Sequence, residues 1–183
     1  MGRATYSFEV VETSKILVAR SANLGFVKVV GRGSFQNSGC LKTFYQQLLK
    51  DHVNRFVIDL DQCTYLDSTF LGILLGLGLK LRAVGNGLLH VLNASPRNIE
   101  LLKNLGLDRL IDIDAKRVDL NGVSTTEASL EQLECPVQTK AEAGPTILEA
   151  HEALMEFDPR NVPKFKDVVE FLREDLGQVA GSV

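Results

Sequence analysis

Three carboxylates and a hydroxyl crowd one stretch of this chain. Asp59, Asp61, Asp67 and Ser68 fall within Val57-Ile58-Asp59-Leu60-Asp61-Gln62-Cys63-Thr64-Tyr65-Leu66-Asp67-Ser68. Aspartates at strand ends can hold magnesium for phosphoryl transfer, and a serine on a strand-to-helix turn can be a nucleophile. Neither chemistry finds its remaining parts. Asp59 lies inside an apolar strand pattern and Asp61 in the loop after it. There is no P-loop, no G-x-G-x-x-G after a strand and no G-x-S-x-G around Ser68. An Asp-Ser pair ahead of an apolar run also reads simply as a helix cap. Cys40, Cys63 and Cys135, and His52, His90 and His151, are scattered without metal-ligand spacing. They predict neither a zinc site nor a disulfide framework, and a reducing, cytoplasmic setting. The expectation is a chain that is not an enzyme, with no catalytic residue, no metal and no cofactor.

The wider composition points the same way. Of 183 residues, 45% are hydrophobic and 23% charged, the mix of an ordinary folded protein. The formal charge of −3 supplies no basic field for a phosphate backbone, so no nucleic acid is expected as partner. Met1 to Tyr6 carry no apolar run, so no secretory signal is expected. The most apolar segment, Phe70 to Leu81, is shorter than the ~20 residues that span a bilayer, and Gly72, Gly76 and Gly78 interrupt it. No membrane span is expected. Gly72-x-x-x-Gly76 could pair helices in a membrane; at this length it reads instead as close packing on a sheet.

The elements that must position Ser68 follow from periodicity. Tyr6 to Val11, Ile16 to Arg20 and Phe26 to Val30 read as short strands, with a turn at Gly31-Arg32-Gly33. Leu41, Phe44, Tyr45, Leu48 and Leu49 recur at helical spacing within Phe35 to Lys50. Phe56 to Leu60 is a buried strand, Asp61 to Asp67 a polar loop, and Phe70 to Leu81 a helix. Leu88 to Leu92 is a second buried strand. Ser95-Pro96 opens a helix that Gly106 ends, and Leu110 to Ile113 is a last strand. Helices alternating with short apolar strands imply an α/β fold with a mixed sheet. We expect one domain over residues 5–115, a linker over 116–144 where the pattern fades, and a helical hairpin over 145–177, broken at Asp158-Pro159. In that hairpin Ile147, Leu148, His151, Leu154 and Met155 share a face, and Asn161 is placed to cap the second helix.

An ordered set of motifs resembles the STAS family of anti-sigma-factor antagonists. A buried strand and loop lead into Asp67-Ser68-Thr69-Phe70-Leu71-Gly72, where the family has D-S-S/T-G-L-G. Gly85-Asn86-Gly87-Leu88-Leu89-His90-Val91-Leu92 looks like its next strand. Ser95-Pro96 and Leu101 to Leu107 resemble its S-P-x-V-x-x-L-L-x-x-x-G-L stretch. The resemblance implies a STAS-type mixed β-sheet with packed α-helices, here with a C-terminal helical extension. It implies a protein-binding regulator of transcription whose partners are an anti-sigma factor that is also a serine kinase, and a PP2C-type phosphatase. The phosphorylated residue carries over to Ser68, and the partner-binding residues to Asp67, Ser68, Thr69, Phe70 and Leu71. Phe70 stands where the family has Gly. Some STAS domains use no phosphosite, and a non-phosphorylated scaffold in a transport or signalling complex is the alternative.

Electrostatics suit the phosphorylated reading. A phosphate adds about −1.5 to −2 charges at pH 7. At a helix N-terminus, free N–H groups and the dipole partly stabilise it, while Asp67 repels it. The fold should tolerate the charge; an acidic or apolar partner surface should not.

Overall fold

A computed structural model of the chain describes residues 14–113, 118–120 and 122–180. The strand expected over Tyr6 to Val11 lies outside the described residues. The elements run β1 (Lys15–Arg20), β2 (Leu24–Gly33), α1 (Phe35–Lys50), β3 (Arg55–Asp59), β4 (Cys63–Leu66), α2 (Ser68–Val84), β5 (Leu88–Leu92), α3 (Pro96–Asn104), β6 (Asp112–Ile113), β7 (Glu131–Gln132), α4 (Lys140–Phe157) and α5 (Val162–Ala180). The sheet order is β6-β5-β3-β2-β1-β7, with β4 paired to the far end of β2. β1 lies antiparallel to β2 and β7, whereas β2, β3, β5 and β6 are parallel neighbours. The expected mixed-sheet α/β fold is therefore present.

Side-chain alternation assigns the two faces of the sheet. Ile16, Val18, Val27, Val29, Phe56, Ile58, Leu89 and Val91 turn toward the helices and form the main core with Leu41, Tyr45, Leu74 and Leu77. Leu24, Phe26 and Val57 turn the other way. That second face is covered by Val118, Leu120, Val123 and Leu130, from the stretch read as linker. These four are too sparse to give a helical or strand period, but they suffice to cover three buried residues. The same stretch then adds β7 to the sheet beside β1.

Two further expectations need correcting. The polar loop Asp61 to Asp67 contains strand β4, and Gly31-Arg32-Gly33 is the end of β2, not a turn. Gly31, Arg32 and Gly33 align with Cys63, Tyr65 and Leu66 across a register shift. This three-residue pairing joins segments about thirty positions apart, so no local pattern announces it. The fourth helix also begins earlier than expected, at Lys140. Thr139 and Glu142 form a reciprocal capping box, which satisfies the first N–H groups of a helix that runs on through Pro145.

Why α2 is apolar on nearly every side becomes clear from its position. One side rests on the sheet and the opposite side receives α4, so from Thr69 to Gly78 almost no face is left for solvent, and only the last turns of the helix are exposed. A Cβ on Gly72 would lie 2.4 Å from the Ala150 carbonyl oxygen; the two backbones touch there. Gly72 thus serves helix–helix packing, not packing on the sheet. Among the described residues no helix is long and apolar enough to cross a membrane.

Cys40 on α1 and Cys135, just ahead of α4, form a disulfide with Cα atoms 5.3 Å apart, within the usual range for such a bridge. This overturns the reading of the cysteines as unpaired. Their 95-residue separation hid a proximity that only the fold creates. Closing so long a loop restricts the unfolded chain. Reduction, or Cys135→Ser, should lower the unfolding free energy by about 2–4 kcal/mol. Urea denaturation with and without reductant measures this, and superimposable curves would contradict it.

Candidate functional site

The site is built on the carboxylate of Asp67. Its backbone N–H donates to the Gly33 carbonyl at 2.9 Å, which sets it between the end of β2 and the start of α2. One side-chain oxygen accepts the Phe70 N–H at 2.8 Å, as the N-cap of α2. The other accepts the Phe35 N–H at 2.8 Å, from the first residue of α1. A single carboxylate therefore closes the N-termini of two helices, where anionic acceptors are most favourable.

Ser68 is the first residue of α2 and is half-buried. Its hydroxyl lies 2.9 Å from Nε2 of His151 on α4. Nδ1 of that ring lies 2.8 Å from the Ile147 carbonyl. A carbonyl only accepts, so Nδ1 carries the proton, and in the neutral ring Nε2 accepts from Ser68. The imidazole is 4% exposed, and the Phe165 ring on α5 meets it edge-on at 4.9 Å. The sequence placed His151 on the apolar face of this helix but among the scattered histidines without a role. The one available signal was its place in that stripe, a polar ring at a position that buries.

The remaining proposed contact residues are not on the surface. Thr69, Phe70 and Leu71 are all buried. These three were expected to bind a partner; while α4 is seated they belong to the core and are not exposed to one. Phe70, the departure from the family pattern, has its ring against Gly33, where an added Cβ would lie 3.0 Å from the ring. Its bulk is wholly buried. The neighbouring thiol of Cys63 is buried too, and burial pushes its pKa up, which makes it a poor nucleophile.

Asp59 and Asp61 do not join this site. Asp59 is buried in an ion pair with Lys28, 3.6 Å away, and accepts the Asn93 amide at 2.8 Å. Asp61 donates its backbone N–H to that same carboxylate and its side chain is exposed. Among the described residues no three His, Cys, Asp or Glu side chains gather as a metal site would require.

The hairpin that covers Ser68 is anchored along its length. Lys42 on α1 pairs with Glu149. Between the two helices, Asp158 is buried and accepts Arg109 and Arg160 guanidinium bonds, each at 2.6 Å. The hydrogen bonds from Arg160, chief among them those of its side chain, hold the Asp158 carboxyl at about 2. Asp158 also caps the turn Pro159–Asn161. Asn161, expected as the cap of α5, is buried, and its amide donates to the Leu105 and Leu154 carbonyls. It fastens the hairpin to the end of α3.

Comparison with known proteins settles the family. A family model described as "Mlab, STAS domain" matches residues 16–112, just over half of the chain. The chain belongs to the STAS domain family. No curated protein matches it. Among solved structures, the STAS fold here is similar to an anti-sigma factor antagonist from Mycobacterium paratuberculosis. That likeness has 22% identity and a TM-score of 0.51, over 62% of this chain and 93% of that one. It is also similar to the anti-sigma factor antagonist SpoIIAA in its unphosphorylated form, at 16% identity and TM-score 0.47, over 56% of this chain and 89% of that one. The Bacillus cell fate determinant SpoIIAA in the phosphorylated form gives 15% and 0.45, over 56% and 92%. The STAS match ends before β7, α4 and α5, so the helices that cover Ser68 are an addition to the family's domain.

Two outcomes follow from this geometry. Asp67→Ala strands two helix N–H groups and should destabilise the STAS domain by roughly 2–4 kcal/mol, measured by urea unfolding; a loss under half a kcal/mol would contradict the double-cap role. Asp158 titrates below its ordinary value near 3.8, so its contribution is complete above that value and is lost as pH falls through about 2. Asp158→Asn should therefore be less stable than wild type at neutral pH and lose part of the acid dependence between those limits. Circular dichroism during acid titration of both proteins tests this, and identical profiles would count against it.

Proposed function

We propose that this STAS protein is a non-catalytic, protein-binding regulator of the anti-sigma-factor-antagonist kind, switched at Ser68. By the family resemblance its partner is an anti-sigma factor that is also a serine kinase, with a PP2C-type phosphatase reversing the modification. Its action on transcription is then indirect, and by the same resemblance its working place is the cytoplasm. The observation that carries the proposal is the Ser68–His151 hydrogen bond. It makes the modifiable hydroxyl a contact of the hairpin, so phosphorylation and hairpin seating exclude each other. A phosphoryl group on that oxygen needs space that the buried imidazole fills, and about two added charges beside Asp67 face a ring held by a backbone carbonyl. The hairpin stands where a partner approaching Ser68 would dock, and the two compete for the N-terminal end of α2. A buried imidazole against a half-buried hydroxyl leaves little room for a substrate, which favours this reading over a Ser–His hydrolase.

The scaffold reading, without phosphorylation, draws on the same contact: a serine covered by α4 is closed to a kinase while the hairpin is seated. Two measurements separate them. Phosphate-affinity electrophoresis of the protein from its native cells should show a modified band that Ser68→Ala abolishes. In pull-downs from those cells, identified by mass spectrometry, Ser68→Ala should retain the partner and Ser68→Asp should lose at least tenfold, or 1.4 kcal/mol. Equal capture by both variants, with no phosphate on Ser68, would leave the scaffold and remove the switch.

A further inference from the structure

A second surface lies outside the hairpin's seat. Arg32, near the end of β2, is the register partner of Tyr65 on β4. Its guanidinium stacks over the Tyr65 ring at 4.8 Å, and that of Arg97 stacks over the same ring at 5.4 Å. Both arginines are exposed and the tyrosine is half-buried. Each cation is attracted to the ring face, yet the two charges sit within about a Debye length, ~10 Å at 0.1 M salt, and repel.

Among the described residues no carboxylate lies within ion-pair distance of either guanidinium. Asp67, close in sequence, gives its two oxygens to Phe35 and Phe70, and Asp59 is committed to Lys28 and Asn93. Arg97 also occupies the first turn of α3, which holds no acid. A cation there opposes the helix dipole, so stability alone does not account for the placement. α1, α2 and α3 all begin at this carboxyl edge of the parallel strands, which is where open α/β sheets receive ligands. The backbone under Arg32 is fixed: its N–H donates to Ser14 Oγ at 3.0 Å, and its carbonyl accepts the Asn37 amide at 2.7 Å.

We propose that the Arg32–Tyr65–Arg97 stack is a docking surface for an acidic peptide segment of a partner protein. Each guanidinium offers a planar fork that a carboxylate can engage with two parallel bonds. Two forks set about one ring suit successive carboxylates laid across an open surface, whereas a single small anion would call for donors converging in a cup. The stack shares no residue with the Ser68–His151 contact, so a failure here leaves the Ser68 reading standing.

The test is a calorimetric titration of the full chain with a short synthetic peptide rich in aspartate and glutamate. The same peptide in asparagine and glutamine, and inorganic phosphate, serve as the other arms. The acidic peptide should bind, more weakly as salt rises, and its amide counterpart should not. The double variant Arg32→Glu/Arg97→Glu should weaken binding by at least tenfold. Arg32→Gln/Arg97→Gln covers the case in which charge reversal disturbs folding and should weaken it in the same direction. Tyr65→Phe should keep binding and Tyr65→Leu reduce it. No binding by wild type, equal affinity in folded arginine variants, or binding of phosphate but not of the peptide would overturn the proposal.

Discussion

The arrangement rests on one carboxylate. Asp67 ties the first N–H of α1 to the N-cap bond of α2 while its own backbone is pinned to the end of β2. Without it two helix termini would meet at the sheet edge with unpaired donors, a costly condition for partly buried groups. Because the bond fixes where α2 starts, it also fixes the backbone from which the Ser68 hydroxyl reaches His151. The capping role of Asp67 and the switch proposed for Ser68 are therefore complementary: the cap sets where the serine stands.

From that fixed point the C-terminal helices follow. α2 is apolar on both sides, so a sheet alone cannot cover it, and the contact at Gly72 and Ala150 brings a second helix as near as two backbones allow. Burial of His151 would be unfavourable without partners for both ring nitrogens; the Ile147 carbonyl and the Ser68 hydroxyl supply them. Hydrophobic packing thus provides the attraction, and the polar pair fixes the seating of α4 relative to the end of α2. The extension and the family domain share one core, in which Ala150 and Leu154 join residues of the sheet.

Local patterns made much of this legible. The strand Phe56 to Leu60, the helix after Asp67 and the cap at Ser95 all rest on neighbouring residues, and the structure has a strand, a helix and a cap in those places. What escaped was non-local. β4 has four residues and pairs with only three of β2, too few for a period. Cys40 and Cys135 are neighbours only because α1 and the approach to α4 run side by side. His151 looked like one polar residue in an apolar stripe; its partner stands 83 positions earlier. Thr69, Phe70 and Leu71 were read from the family motif as partner-binding, and the structure buries them. The all-round apolarity of α2 held the contrary sign, since a helix with no polar face has two sides to bury.

The two ends of the sheet carry a separate consequence. Among the described residues its outermost strands, β6 and β7, are two residues each, and β7 carries the charge of Glu131. Edges so short and polar offer few free backbone groups for another strand to pair with. Self-association by extending the sheet, the common hazard of open α/β folds, is thereby discouraged at both borders.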